Sequence, residues 1–254
     1  MLNKQTIRKK AAQKGKITTR DLAGEFNVSR QYANGLISEL VNTGELIKVG
    51  STRGAFYVTP YFARKNPDIL PNRYRKKLKN KSLEEHEVLD DLEKNFPAMG
   101  KLAENVKSIF TYAFSEMLNN AIEHSRSKKV VVEVALENNN LSFTVEDFGI
   151  GVFRSIMQKR KLKSELEAIQ DLLKGKTTTL PKSHSGEGIF FTSKVGDFFA
   201  LDSFGHQLIL DNKIPDTFVE TAKKMKKGTR VSFNVEVKSN RHLNDVFKKY
   251  TQKT

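Results

Sequence analysis

The chain contains neither cysteine nor tryptophan. Without cysteine there can be no disulfide framework, no Cys-ligated zinc and no thiol nucleophile, and the absence agrees with a reducing compartment. No run of about 18 consecutive apolar residues occurs, and the basic start is not followed by the apolar core of a secretory signal. These absences lead to the expectation of a soluble, cytoplasmic protein with no membrane partner. Proline is scarce, with six residues, two of them in the short stretch 61–81. Against these shortages stand 17 phenylalanines and a hydrophobic content of 38% in 254 residues. That is enough apolar material for one large core or two small ones, so composition does not predict disorder.

The formal net charge is +15, and its placement is uneven. Residues 1–81 carry 18 Lys and Arg against 5 Asp and Glu, whereas residues 82–254 carry 26 against 24. A cationic excess concentrated in one third of a chain suits a polyanion, because Lys and Arg release counterions condensed on phosphates. Charge alone leaves DNA, RNA and anionic lipid open. Residues 1–60 alternate helix-like and turn-like stretches before a strand-like run. Residues 61–81, with two prolines and a basic run, read as a linker. Residues 82–240 read as a second domain, helical to about residue 125 and then alternating between strand and helix. Residues 241–254 read as a tail whose helix-like run Leu243–Tyr250 could open a further domain.

In the first segment Leu22, Ala23 and Phe26 recur at helical spacing. Ser29 is a good N-cap for a second helix with an apolar stripe of Tyr32, Ala33, Leu36, Ile37 and Leu40. Arg30, Gln31 and Asn34 fall off that stripe near the helix start, where a recognition helix presents polar groups to base edges. Leu46, Ile47 and Val49, a Gly-rich turn holding Arg53, and Phe56–Val58 read as two strands with a basic tip. Residues 4–60 resemble the winged helix-turn-helix domains of bacterial regulators. The resemblance implies that Ser29, Arg30, Gln31, Asn34 and Arg53 face double-stranded DNA, although winged helices also serve as protein-interaction modules.

The second domain opens with a helix near residues 104–125, whose Val106, Ile109, Phe110, Ala113, Met117 and Ala121 form a core stripe. Glu116, Asn120 and His124 are spaced four apart on a neighbouring face. A carboxamide there can offer a neutral oxygen to Mg²⁺, and a carboxylate one turn away can act as a general base. Val130–Leu136 and Leu141–Glu146 read as a hairpin through an Asn-rich turn, ending in Asp147–Phe148–Gly149–Ile150–Gly151. A polar, basic segment follows (153–185), with a helix expected over Leu162–Leu173. It leads to Ser185–Gly186–Glu187–Gly188 ahead of an apolar helix over Ile189–Val195. Gly228–Thr229 then opens a last strand. The order ExxxN, DxGxG, long lid, GxG and GT resembles the motif boxes of the GHKL (Bergerat-fold) ATPase superfamily, which includes gyrase B, histidine kinases and MutL.

The resemblance implies an α+β protein, in which a winged helix is followed by a Bergerat-type sandwich: a mixed, mainly antiparallel sheet with helices on one face. It implies that ATP and Mg²⁺ bind there. Asn120 would hold the metal, and Glu116 would be the catalytic base. Asp147 would bond the adenine amino group with Thr229 beside it. Gly149 and Gly151 would line the base pocket, and Gly186 and Gly188 would wrap the phosphates with help from Lys182 and Ser185. SGEGIF is shorter than the glycine run of histidine kinases. The expected function is an ATP-binding, DNA-binding transcriptional regulator, with a protein partner or homodimer allowed. Two alternatives stand beside it: a protein kinase of the anti-sigma serine or histidine type, and an ATP-binding scaffold without catalysis. The histidine-kinase form needs a phosphoacceptor, and His86 in LEEHEVLDDLEKNF is read instead as a solvated helix residue because only one helix precedes Glu116 and Asn120.

Overall fold

The computed structural model describes residues 1–50, 54–66, 69–174, 187–221 and 225–251. The chain is an α+β protein that divides into two compact units, one formed by residues 1–72 with 90–101, the other by residues 73–89 with 102–254.

The first unit is built from α1 (Lys4–Lys14), α2 (Thr19–Glu25), α3 (Arg30–Asn42), the hairpin β1 (Ile47–Val49) and β2 (Phe56–Val58), and α4 (Pro60–Lys65). Each helix starts at a side chain that can bond a freed backbone N–H. Asn3 accepts from Thr6, Thr18 from Asp21, Ser29 from Tyr32 and Thr59 from Phe62. Ile7, Ala11, Leu22, Ala33, Ile37 and Leu40 converge in one core with Tyr57. Tyr32, expected on the apolar stripe, is instead 49% exposed and directs its hydroxyl to the Leu2 carbonyl. The stripe Ala33, Ile37, Leu40 is complete without it, so nothing forces its ring inward.

The second unit is a seven-stranded sheet in the order β3-β4-β5-β9-β6-β7-β8: β3 (Arg73–Lys79), β4 (Lys129–Glu137), β5 (Asn140–Asp147), β6 (Phe198–Ser203), β7 (His206–Asp211), β8 (Asp216–Thr221) and β9 (Thr229–Glu236). Every pairing among them is antiparallel, so the sheet has no parallel component to make it mixed. Asn138 and Asn139, both at positive φ, turn the β4–β5 hairpin as their short polar side chains allow. α5 (Glu85–Asn95) runs across the division between the units, with exposed His86 3.3 Å from Glu84. Then come α6 (Glu104–Asn119), a π-helical turn Asn120–His124, α7 (Val152–Arg160), α8 (Glu165–Lys174), α9 (Glu187–Val195) and α10 (Leu243–Thr251).

Register puts Val132, Val145, Val231, Leu201 and Leu208 in one row across the sheet, and Val134, Phe143, Phe233, Phe199 and Leu210 in the next. Helix α6 covers this face: Phe110 and Phe114 meet Phe143 edge-on, and Phe143 stacks on Phe233. The opposite face is polar, with Glu133, Ser142, Thr144, Arg230 and Ser232 lining a shallow groove.

Two boundaries differ from the sequence reading. The stretch 61–81 is not a linker: it contributes α4 to the first unit and β3, paired residue for residue with Lys129–Ala135, to the second. The five cations of β3 hid a period-two pattern in which Tyr74, Lys76 and Leu78 turn to the core side, a pattern an edge strand permits because one side stays solvated. The tail is likewise part of the second unit, where Phe247 of α10 packs edge-on against Tyr112 and Phe191.

Candidate functional site

At the end of the sheet where β5 stops and β9 begins, a cleft opens on the apolar face. Val145, Leu201 and Val231 form its floor. The first turns of α7 and α9 supply Val152, Ile156 and Ile189, and the π-helical turn supplies Asn120, Ala121 and His124. Such a cleft, walled by aliphatic side chains with a few polar groups, has the character of a small-molecule site.

Asp147 is its principal polar group. Strand alternation carries Asp147 to the apolar side, in the row after Val145, and leaves it only 4% exposed. Burial pushes its carboxyl above the ordinary carboxylate value, while bonds from the N–H of Gly149 and from Thr229 pull the other way. Gly149 N–H donates to Oδ1 at 2.8 Å. Thr229, whose hydroxyl also accepts from Val152 N–H at 2.9 Å, closes the same corner. The carboxylate is thus held by the protein in a cavity that offers apolar faces to a flat ring. That arrangement can accept a hydrogen bond from an exocyclic amine.

The loop after β5 is shaped by close approaches. A Cβ on Gly149 would run into the Ser125 carbonyl oxygen, and the next residue, Ile150, donates its N–H to that oxygen at 2.9 Å. Gly151 sits at φ +83°, left-handed backbone that a side chain resists, with the Phe204 ring and Ser203 hydroxyl occupying the space beside it. Ser127 Oγ receives Phe148 N–H at 3.0 Å, and Ser203 Oγ donates to the Gly228 carbonyl at 2.9 Å. These bonds brace the loop from both flanks. Arg154 braces α7: its guanidinium lies 3.6 Å from the Phe204 ring centre and 2.7 Å from Glu165.

Of the residues singled out by sequence, Asn120, Asp147, Gly151 and Thr229 line this cleft together. Gly149 shapes it from behind rather than lining it. Glu116 and Gly188 lie elsewhere: they line a neighbouring cavity with Tyr112, Glu187, Phe191 and Phe247. There the Glu116 carboxylate occupies the space a Cβ on Gly188 would need, at the start of α9. The acid therefore sits where a helix N-terminus favours negative charge. Burial, then the charges of Glu116 and Glu187, raise the Tyr112 phenol well above its usual value. Lys182, Ser185 and Gly186 lie outside the described residues, as does Arg53.

Sequence reasoning missed Ser155, Ile156 and Lys159, which reach the cleft from one face of α7. Their spacing of three, four and seven residues after Val152, one face of a helix, was legible, but the segment read as a polar lid with no identified partner. It placed His124 on the Glu116–Asn120 face without assigning it a role, and His124 lines the cleft. No group of three or more His, Asp and Glu residues poised for a metal occurs among the described residues. A magnesium ion at Asn120 would thus draw its remaining ligands from phosphates and water, which is how that ion is commonly held.

In the first unit, Arg30, Gln31 and Asn34 project from the first turns of α3 into a broad surface groove. Thr19, Arg20, Lys48 and Gly54 also line it. All three side chains are exposed. Ser29 does not line the groove: its hydroxyl accepts Tyr32 N–H at 3.1 Å and caps α3. No helix among the described residues is long and apolar enough to cross a membrane. No family model matches the sequence, and no curated protein matches it.

Proposed function

We propose that the chain is an ATP-binding, DNA-binding regulator, with a GHKL-type nucleotide site in the sheet-bearing unit and a winged helix in the first. The observation that carries the reading is the buried Asp147 at the end of β5, facing an aliphatic cleft beside Thr229 and Asn120. An acceptor fixed in an apolar slot selects a flat heterocycle bearing an amine, which adenine supplies. Lys159, Asn120 and His124, which line the α7 and π-turn side, are the cationic and polar groups a phosphate chain and its magnesium would meet. The exposed Arg30, Gln31 and Asn34 on a Ser-capped helix support the DNA assignment, because polar groups at a helix start can enter the major groove.

A second reading is nucleotide binding without turnover. It is favoured by Glu116, which lines the cavity with Tyr112 rather than the cleft with Asp147. The two readings share the pocket and differ in whether this acid reaches a water or hydroxyl at the phosphates.

Titration calorimetry with Mg-ATP tests the pocket. Asp147→Asn replaces an acceptor oxygen by an amide donor against the adenine amine and should weaken binding about tenfold or more, the equivalent of ~1.4 kcal/mol. Equal affinity in the two proteins would remove Asp147 from base recognition. Phosphate release that vanishes in Glu116→Ala while binding persists would select the catalytic reading.

A further inference from the structure

We propose that the sheet-bearing unit carries its own contact surface for the phosphate backbone of duplex DNA, centred on Lys77, Lys79, Lys128 and Lys129. The proposal rests on the DNA-binding reading of the chain but not on the α3 groove being the site. Six of the 18 cations in residues 1–81 fall in residues 73–81. The division of the chain assigns them to the unit that holds the nucleotide cleft, not to the unit that holds α3.

The cations of this surface sort into two groups. Arg73 pairs with Glu137 at 2.6 Å and lies 3.7 Å from Glu133, and Arg75 lies 3.6 Å from Glu133. They are neutralised within the fold. Lys77 and Lys79 project from the same polar face, two residues apart and hence about 6.7 Å from one another along the strand. Both are exposed, and neither has an ion-pair partner among the described residues. Lys79 stands directly opposite Lys129 across the β3–β4 ladder. Like charges in that position destabilise an antiparallel pair.

Arg126 and Lys128, exposed in the turn that leads into β4, extend the surface. Asn80 ties that turn to the end of β3, donating its backbone N–H to the Lys128 carbonyl at 3.0 Å and its amide to the Ser127 carbonyl at 2.9 Å. The Lys129 ammonium is held 4.2 Å from the centre of the Phe148 ring. The nearby acid Glu146 is already engaged by Lys226 and Arg230. One or two lysines would suffice to guard an edge strand against pairing with another chain. A facing lysine pair, continued by two cations in the adjoining turn with no carboxylate between them, exceeds that need. It has the form of a surface whose counterions a phosphate backbone displaces. Because Phe148 follows Asp147 directly, this surface adjoins the loop that lines the nucleotide cleft.

The test uses the full chain and a fluorescein-labelled duplex of arbitrary sequence, followed by anisotropy between 50 and 200 mM KCl. Lys77→Ala, Lys79→Ala and Lys128→Ala combined should lower affinity several-fold. They should also flatten the plot of log K against log salt by about 0.9 for each lost phosphate contact, or about 2.7 for three. The same loss should occur in an Arg30→Ala, Gln31→Ala background. The three lysines are exposed, so an unchanged melting temperature is the control, and a Gln series replaces the Ala series if melting shifts. An unchanged slope in a chain that binds duplex overturns the proposal and leaves the α3 groove as the site. Salt-sensitive binding that survives Arg30→Ala, Gln31→Ala but disappears with the lysines upholds it and displaces the α3 reading instead. Wild-type protein that ignores the duplex but binds phosphatidylserine vesicles through these lysines overturns it in favour of an anionic membrane surface.

Discussion

The cleft behind Asp147 and the groove beside α3 are both recessed, yet they are built on opposite terms. The cleft hides one carboxylate among valines, leucines and isoleucines and pays for it with a raised proton affinity. The groove presents Arg30, Gln31 and Asn34 to water, and no buried carboxylate lines it. The contrast shows what each can recognise. A buried acceptor discriminates between small molecules, because a ligand that fails to satisfy it leaves a desolvated group unpaired. An exposed fringe of donors suits a large hydrated surface, where contacts are many and individually weak.

Glycines separate the two regions most sharply. Gly149→Ala would drive a Cβ into the Ser125 backbone, which cannot move without breaking the Ile150 bond, and should cost about 3 kcal/mol. Urea unfolding followed by tyrosine fluorescence would measure it, and a cost under ~1 kcal/mol would mean that the loop relaxes freely.

Protonation gives the next contrast. Burial lifts the folded value of Asp147 above its unfolded value, so the native state holds that proton more tightly. Its favourable contribution is therefore fully present at pH below the ordinary carboxylate range and is lost as pH rises through the raised value. Asp147→Asn should accordingly raise the melting temperature of the protein without added ligand at pH 7, although the proposed function has it weaken ATP binding. Under the proposed ATP reading, wild-type affinity should fall as pH drops through the raised value, because the protonated acid no longer accepts there. A lower melting temperature for the Asn variant would show that the Gly149 and Thr229 bonds outweigh burial.

The smallest effect belongs to α3. A Cβ on Gly35 meets nothing within 4 Å, so Gly35→Ala should stabilise the first unit by about 1 kcal/mol through helix propensity alone. If α3 lies against DNA closely at this point, the same change should weaken duplex binding while raising the melting temperature. Unchanged binding would free Gly35 of any contact role.

Much of this was legible in local pattern. Ser29 caps α3 as its position before an apolar stripe predicted, and Asn138–Asn139 turn the hairpin as their tolerance of positive φ predicted. The 104–125 helix was readable from Val106 to Ala121, although its last turn is π-helical from Asn120. Of the cleft, Asn120, Asp147, Gly151 and Thr229 were anticipated, whereas Lys159 and Ser155 were not, since they reach it only through the packing of α7.

The sequence by itself determined which segments coil and where they stop, because caps, turns and hydrophobic periods act over a few residues. It also marked Asp147 as a strand-end acid beside close glycines. Only the tertiary structure decided that the basic run 73–79 is a strand, that Glu116 and Asp147 open into different cavities, and that nearly half of the N-terminal charge excess belongs to the second unit. Strand pairing joins Lys79 to Lys129 across fifty residues, and β9 inserts between β5 and β6 from far along the chain. Register of that kind is chosen by which rows of side chains can be buried together, a condition that no short stretch of sequence contains.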